Sequence, residues 1–400
     1  MSATERAVRV AKSLSQNCDM LYVFTLGREG IPSKWIDSEL EADFLKDLPI
    51  NIKIIEINSL FKNILFIDKK NGLTMENILG TFSYILTSDL GLFWTLRLCK
   101  DLKKYAKELS PKYLIFTCPF FLPILLGVIL KRKLSIPYLI DYRDLWFNKP
   151  MGHFTIIGKY FSYIIEKFSN KRALLITTIS KTYINELVGS NQNKLILYNF
   201  NNKINNFKFE KKNNLDHFNI VYIGSIYKGQ RSFKPILQAL ALIDKEIRDN
   251  IYINYYGDQG DILKKEFNEY CDLNLNFYDN GRVLKENINR LIAESDMLIS
   301  LVHTDEVTSK LSVRGIMTGK IFEYLVSKKP VLNIAPKNAE LVEFFKEFGQ
   351  NQVFSHTAND IVGISKTILY VKKSRKIIDI KELPTWDEYF NEFWCKFNKS

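Results

Sequence analysis

Short apolar runs rich in β-branched and aromatic residues recur along this chain, and longer amphipathic segments separate them. Such runs are typical of strands buried on both faces, and the segments between them are long enough to form helices. This alternation predicts parallel sheets wrapped by helices, and therefore an α/β protein. The predicted strands cover residues 20–26, 52–57, 113–118, 138–141, 174–179 and 195–198, then 218–223, 251–256, 275–278, 297–301 and 331–334.

The alternation stops once, in the polar segment 201–216, which is rich in asparagine and lysine. A segment of this composition is typical of a linker. We therefore predict an N-terminal domain over residues 1–205, a C-terminal domain over 206–375, and a final aromatic segment over 376–400 that packs back on the N-terminal domain. The length of 400 residues suits two domains.

The chain opens on a predicted helix rather than on a strand, with apolar residues at Ala7, Val10, Ala11 and Leu14. A doubly wound sheet normally begins with a strand. We expect either that the first sheet lacks its usual first strand or that the sequence begins downstream of that strand. The pattern leaves both alternatives open.

Composition and charge limit the class of protein. The five cysteines are scattered and form no C-x-x-C pair, which argues against a disulfide framework or a zinc site. The start of the chain does not resemble a secretory signal, and the longest apolar run, 118–130, is too short to cross a bilayer. We therefore expect a cytoplasmic protein.

The net charge of +12 indicates an anionic partner. The basic residues are spread along the chain without a nucleic-acid-binding motif, so we expect no nucleic acid partner. A phospholipid surface and a diphosphate-bearing substrate remain as the anionic partners that the charge favours.

The first candidate site follows the predicted strand 218–223, in a turn that contains Gly224, Lys228, Gly229 and Arg231. Glycines let the backbone approach a ligand closely, and the helix predicted just after the turn would offer free N–H donors beside positive charge. The turn is therefore a candidate diphosphate site. An ordinary strand-to-helix turn with two exposed cations has the same pattern, and the motif alone does not decide between them.

The second candidate site is a short predicted helix that begins with Lys320 and Ile321 and precedes the strand 331–334. Lys320 can reach a phosphate, and Glu323, one turn later, can accept two hydrogen bonds from a ribose diol. The alternative is a surface Lys and Glu on a helix whose other face lies in the core. The nucleotide interpretation is favoured because both motifs belong to one predicted α/β domain.

Together these motifs resemble the donor domain of retaining GT-B glycosyltransferases, in particular glycosyltransferase family 4. In that family a strand-G-x-x-x-K-G turn holds the diphosphate and a K-x-x-E-Y-L-x-x-x-K-P-V helix holds the nucleotide, and here these are 224–229 and 320–331. The segment 277–283, which ends in Arg282 and Val283, is similar to the base-contacting loop of the family. The resemblance covers nearly all of residues 218–350.

The resemblance implies two facing Rossmann-like domains and a retaining, metal-independent glycosyltransferase. It implies a nucleotide sugar, with a UDP-sugar favoured, as a substrate and no cofactor. Lys228 and Lys320 would act in catalysis by compensating the charge of the leaving diphosphate. Many family members carry a glutamate eight residues before the helix glutamate, where this chain has Gly315. That sugar contact would then pass to Asp305 or Glu306.

The N-terminal half resembles the acceptor domain of one bacterial branch through the segment 141–146. Asp144, or alternatively Asp141, could position an acceptor hydroxyl, whereas a structural ion pair is the competing interpretation. The apolar and basic segment 120–133 could rest on the inner face of the cytoplasmic membrane and meet a lipid-linked saccharide. A buried core helix would have the same composition.

The expected role is transfer of a sugar to a saccharide or lipid-linked saccharide acceptor in surface polysaccharide synthesis. His153 and His303 are further candidate polar contacts, although a lone histidine is more often structural. Two alternatives stay open on the sequence alone: a nucleotide-sugar epimerase on the same fold, and a catalytically inactive partner subunit.

Overall fold

The computed structural model describes residues 3–28, 45, 47–61, 74–149, 155–200, 217–227, 229–304, 311–374 and 382–398. The chain divides into two compact units, which we call unit 1 (Met1–Asn199 and Asp387–Ser400) and unit 2 (Phe200–Trp386). The predicted domain boundaries after residues 205 and 375 lie outside the described residues, so they stay predictions.

Unit 1 holds its described strands in two parallel sheets. The first pairs β1 (Leu21–Leu26) with β2 (Ile52–Ile57) along their whole length. The second has the order β3 (Leu114–Cys118), β4 (Tyr138–Tyr142), β5 (Leu175–Thr178) and β6 (Lys194–Ile196). The helices of this part are α1 (Ala3–Ser15), α2 (Met75–Thr87), α3 (Leu92–Leu109), α4 (Ile124–Leu134), α5 (Ile156–Arg172) and α6 (Lys181–Glu186).

A buried ion pair connects the opening helix α1 to strand β4. Arg6 donates from Nη2 to Asp141 Oδ1 at 2.6 Å and from Nε to Asp141 Oδ2 at 3.0 Å. Thr177 Oγ1 on β5 donates to the same carboxylate at 2.6 Å. Both charged side chains are nearly inaccessible to solvent, so each depends on the other for compensation of its buried charge.

The segment 120–133, one predicted membrane contact, lies instead in the core of unit 1. Four apolar side chains of α4 in this segment are buried: Ile124, Leu126, Val128 and Leu130. Phe121 stacks on Trp146 with ring centroids 5.3 Å apart. The membrane interpretation of this segment was wrong, because α4 is a core helix with its basic residues confined to its last turn.

Unit 2 has one parallel sheet with its first strand in the middle, in the order β12-β11-β10-β7-β8-β9. The strands are β7 (Phe218–Ile223), β8 (Ile251–Tyr256), β9 (Asn276–Asp279), β10 (Met297–Leu301), β11 (Val331–Ile334) and β12 (Val353–His356). The helices are α7 (Lys234–Ala241), α8 (Lys245–Arg248), α9 (Gly260–Asn268), α10 (Lys285–Glu294), α11 (Leu311–Arg314), α12 (Lys320–Val326), α13 (Glu340–Glu347) and α14 (Ile361–Ser374).

The core of unit 2 explains why the predicted strands are so apolar. All five residues of β10 are buried, and so are all four of β11, because both strands lie inside the sheet. Helices α7 and α14 pack against each other, and their apolar residues join one cluster with those of β7 and β8. Parallel strands covered on both faces place their carboxyl ends at one edge of the sheet.

The last helix is α15 (Trp386–Asn398), and its residues from Asp387 onward belong to unit 1. The Tyr389 hydroxyl donates to the Ile196 carbonyl at 3.0 Å, and the ring of Phe397 contacts that of Tyr113. Among the described helices, none combines the length and the apolar character that crossing a membrane requires.

Candidate functional site

The turn after β7 lies where three neighbouring strands of unit 2 end. Gly224 N–H donates to the carbonyl of Tyr256, the last residue of β8, at 2.7 Å. Arg231 Nε donates to the carbonyl of Val302, just after β10, at 3.4 Å. Since β7 lies between β10 and β8, the turn occupies the carboxyl edge of the sheet centre. Ligands of open α/β sheets bind at this edge.

Lys320 reaches from the start of α12 to the end of β7. Its Nζ donates to the carbonyl of Ile223 at 2.5 Å and lies 5.8 Å from the centre of the Tyr222 ring. Any Cβ at Gly224 would overlap this amine, and the φ of Gly224, +142°, is one that other residues rarely adopt. Position 224 in the first motif must therefore be a glycine, because any other residue would overlap Lys320 of the second motif.

The site carries an excess of positive charge. Burial, together with the neighbouring Arg231 guanidinium, lowers the pKa of Lys320 from 10.5 to about 8, and Glu323 opposes this shift. Arg231 Nη1 donates to the Ser225 carbonyl at 3.0 Å, and its guanidinium lies 4.8 Å from the centre of the Tyr227 ring. Two adjacent cations, one of them desolvated, form a site that an anion would stabilise.

The lowered pKa predicts a pH dependence for the binding of a diphosphate beside Lys320. A diphosphate favours the charged amine, so affinity should fall as pH rises above about 8, by about tenfold between pH 7 and pH 9.5. The free energy of unfolding should change in the opposite direction. Between pH 8 and 10.5 the unfolded chain holds the Lys320 proton more tightly than the folded chain does, so the contribution of Lys320 to stability rises with pH. Titration calorimetry with a UDP-sugar checks the first trend, and Lys320→Met should remove it. Equal affinity at both pH values would contradict the prediction.

The N–H groups just before helix α7, which were expected to be free, form hydrogen bonds within the protein. The helix begins at Lys234, and the N–H groups before it already donate within the protein: that of Arg231 to the Tyr227 carbonyl, and that of Phe233 to Glu266 Oε2. The expected free donors are therefore not available at these positions. Pro235 and the buried ring of Phe233 set the start of the helix, so the cations carry the positive character of the site.

The other predicted donor-site residues lie in different surroundings. Gly229 has a φ of +77° and open space where a Cβ would lie. The side chain of Ile321 is buried in the core, and its N–H donates to the Thr318 carbonyl. Arg282 is exposed and Val283 half-buried, both after β9, the strand at the sheet edge. Four candidates lie outside the described residues: Lys228, Asp305, Glu306 and His153.

The structure adds residues that the sequence patterns did not single out. The Tyr324 hydroxyl accepts from the Ile223 N–H at 3.4 Å, and Gln259 Oε1 accepts from the Ile226 N–H at 3.1 Å. A Cβ at Gly257 would overlap the carbonyl oxygen of Gly224. The signal for Gly257 and Gln259 was the Gly257–Gly260 pair after β8, where glycines mark a close approach of backbones, and Tyr324 is the tyrosine of the E-Y-L motif on α12.

The two candidate aspartates of unit 1 have different environments. Asp141 is fully engaged by Arg6 and Thr177 inside the unit. Asp144 lies two residues beyond the end of β4 and is half-buried, and no other described residue forms a hydrogen bond or ion pair with its carboxylate. Asp144 is therefore the one of the pair whose carboxylate can accept a hydrogen bond from a ligand. In the described part of the chain, no cluster of His, Cys, Asp and Glu is arranged to hold a metal ion.

Comparison with solved structures identifies the architecture. The lipopolysaccharide outer core galactosyltransferase WaaB aligns over 94% of this chain and 99% of its own, with a TM-score of 0.53 and 12% identity. WaaG, a glycosyltransferase involved in lipopolysaccharide biosynthesis, aligns over 98% and 91% with a TM-score of 0.53 and 11% identity. This chain has the GT-B fold.

The GT-B fold confirms the prediction of two Rossmann-like domains. No family model matches the sequence, and no curated protein matches it. The identity to the GT-B structures is low enough that the likeness concerns the fold alone. The fold does not by itself identify the substrates or the reaction.

Proposed function

We propose that this chain is a glycosyltransferase that moves a sugar from a nucleotide-sugar donor, a UDP-sugar by preference, to a saccharide or lipid-linked saccharide acceptor in surface polysaccharide synthesis. The proposal includes a retaining, metal-independent reaction without a cofactor. It also includes a cytoplasmic location with peripheral contact to the inner face of the cytoplasmic membrane. All five cysteines are free thiols, in keeping with that location.

One observation carries the proposal: the desolvated amine of Lys320 lies against the glycine turn after β7, beside Arg231. An ordinary surface lysine would be solvated, and it would not require a glycine at a neighbouring position to leave space for its amine. A half-buried, partly desolvated cation without a carboxylate hydrogen-bonded to it raises the free energy of the unliganded protein. A bound diphosphate would supply the missing negative charge and return the Lys320 pKa toward its usual range.

The proposed chemistry follows from this placement. The bond between the anomeric carbon and the diphosphate oxygen breaks, the acceptor oxygen bonds to that carbon, and the hydroxyl proton passes from the acceptor to the departing diphosphate. Charge collects on the diphosphate as the bond breaks, so Lys320 and Arg231, with Lys228 from the sequence motif, favour the transition state over the ground state. Asp144 would orient the acceptor hydroxyl as a hydrogen-bond acceptor.

Substitution of Glu323 tests whether the nucleotide part of the donor binds next to helix α12. It is half-buried, one turn after Lys320 on α12. Its contacts with a ribose diol would be equal before and during reaction, so Glu323→Ala should weaken UDP-sugar binding by about 1.5 to 3 kcal/mol and leave kcat almost unchanged. Titration calorimetry and initial rates give both quantities. Glu343→Ala, at an exposed glutamate of α13, is the matched control and should change neither.

Equal effects of the Glu323 and Glu343 variants would contradict the donor-site assignment. Product analysis separates the proposal from its alternatives. A glycosyltransferase requires an acceptor for turnover, whereas an epimerase isomerises the sugar nucleotide alone. A partner subunit would bind a donor without turning it over under any acceptor condition.

A further inference from the structure

Helix α5 of unit 1 has the reverse of the usual distribution of buried and exposed residues. The residues that it buries are small or polar: Gly158, Ser162, Glu166, Ser169 and Asn170. Five of its eight large apolar residues face solvent instead, with exposed fractions from 40% to 90%: Ile156, Ile157, Tyr160, Phe161 and Ile164. A surface helix of a water-soluble protein normally has the opposite arrangement. The exposed side of α5 is therefore suited to surroundings other than water.

Helix α2 has the same reversed distribution of buried and exposed residues. It buries Gly80, Ser83 and Thr87. It exposes Met75, Ile78, Phe82 and Ile85, each between 41% and 66% accessible. Their spacing of three or four residues places these four side chains along one stripe of the helix.

The two helices pack together through their small residues. Thr155 Oγ1, at the start of α5, donates to the Ile85 carbonyl at 2.6 Å near the end of α2. A Cβ at Gly158 would overlap Ser88 Oγ and touch the same carbonyl. This close approach brings the exposed stripes of α2 and α5 side by side, and we call the nine exposed residues named above the apolar face.

The charges on α5 indicate what covers this face. The exposed charged residues of the helix are all basic: Lys159, Lys167 and Lys171. Glu166, the acidic residue of α5, points inward, where it accepts from the N–H groups of Phe147 and Val188, and burial raises its pKa to about 7. A helix with isoleucine and aromatic residues beside lysines has the composition of one that lies in the interface of an anionic bilayer.

We propose that the apolar face of α2 and α5 docks on an anionic lipid bilayer. The apolar side chains enter the boundary between headgroups and acyl chains, and the lysines of α5 contact lipid phosphates. The idea deepens the proposed function, because a lipid-linked acceptor would be met at such a surface. It replaces the segment 120–133, whose apolar residues are in the core.

Vesicle flotation of the full chain tests this docking. We expect binding to phosphatidylcholine vesicles that contain about one-third phosphatidylglycerol to exceed binding to pure phosphatidylcholine by about tenfold or more. The double variant Ile156→Ser and Tyr160→Ser should lower the partition coefficient by at least about tenfold. The control, Leu242→Ser with Tyr370→Ser, removes one exposed aliphatic and one exposed tyrosine side chain (58% and 55% accessible) from unit 2 and should bind as the wild type does.

Three outcomes would overturn the docking proposal. One is a wild-type chain that does not float with anionic vesicles, and another is a double variant that floats equally well. The third is a dimer by light scattering that the double variant dissociates, because a second copy would then cover the face. UDP-sugar binding by the same proteins is measured separately. A wild-type chain that does not bind a UDP-sugar would refute the proposed function, whereas the conclusion from flotation would be unchanged.

Discussion

Lys320→Met is expected to lower affinity for a UDP-sugar by about a hundredfold, the effect of removing a charge-assisted contact of roughly 3 kcal/mol. The free energy of unfolding should stay the same or rise, because methionine fills similar space without a partly desolvated charge. The side chain lies against Gly224 and the Ile223 carbonyl, so the site keeps its shape. Titration calorimetry and urea unfolding measure the two quantities.

Lys329 provides the matched control for Lys320. Its Nζ donates to the carbonyls of Ala293 and Ser295, both at 2.7 Å, so its role is structural. Lys329→Met should lower the free energy of unfolding by about 1 to 3 kcal/mol and leave donor affinity unchanged. If both variants lost stability and neither lost affinity, Lys320 would be a structural lysine and the diphosphate site would lie elsewhere.

Asp141→Ala should have the largest effect on stability. It leaves the Arg6 guanidinium buried in unit 1 without its carboxylate, and breaking a buried pair in this way typically costs about 3 to 5 kcal/mol. Thr177 also loses its acceptor. Urea unfolding followed by circular dichroism should show the transition of unit 1 at much lower denaturant concentration than in the wild type.

Asp144→Ala is the comparison variant, and its position is three residues after Asp141 in the sequence. It should keep the unfolding transition within about 0.5 kcal/mol of the wild type, because its half-buried carboxylate is not part of an ion pair among the described residues. Turnover with an acceptor should fall while donor affinity is retained. A loss of stability as large as that of Asp141→Ala, or unchanged turnover, would remove Asp144 from the acceptor site.

The sequence was informative where a pattern has a single structural solution. Runs as short and as apolar as those of β10 and β11 are typical of inner strands of a covered sheet, and their alternation with longer amphipathic segments predicted the α/β fold. The family resemblance predicted that the glycine turn and the α12 motif bind the two ends of one nucleotide sugar. The overlap between Gly224 and Lys320, which makes them one site, needed the register of the fold.

The sequence failed where one pattern has two solutions. The segment 120–133 is apolar and ends in basic residues, which suits a core helix and an interfacial helix equally, and only burial decides between them. Asp141 and Asp144 are likewise indistinguishable by type and spacing, because the partner of Asp141 lies 135 residues away on α1. The apolar face was missed since helical periodicity does not say which side of a helix faces inward.

The separation of unit 1 into two sheets affects how the unit opens. In unit 2, β7 ties both halves of the sheet into one hydrogen-bonded ladder. In the described part of unit 1, the β1–β2 ladder shares no strand with the ladder of β3 to β6, and every residue of β1 is only half-buried. The β1–β2 pair can therefore open as a separate cooperative unit, with its own rate of amide hydrogen exchange, while the larger ladder remains closed.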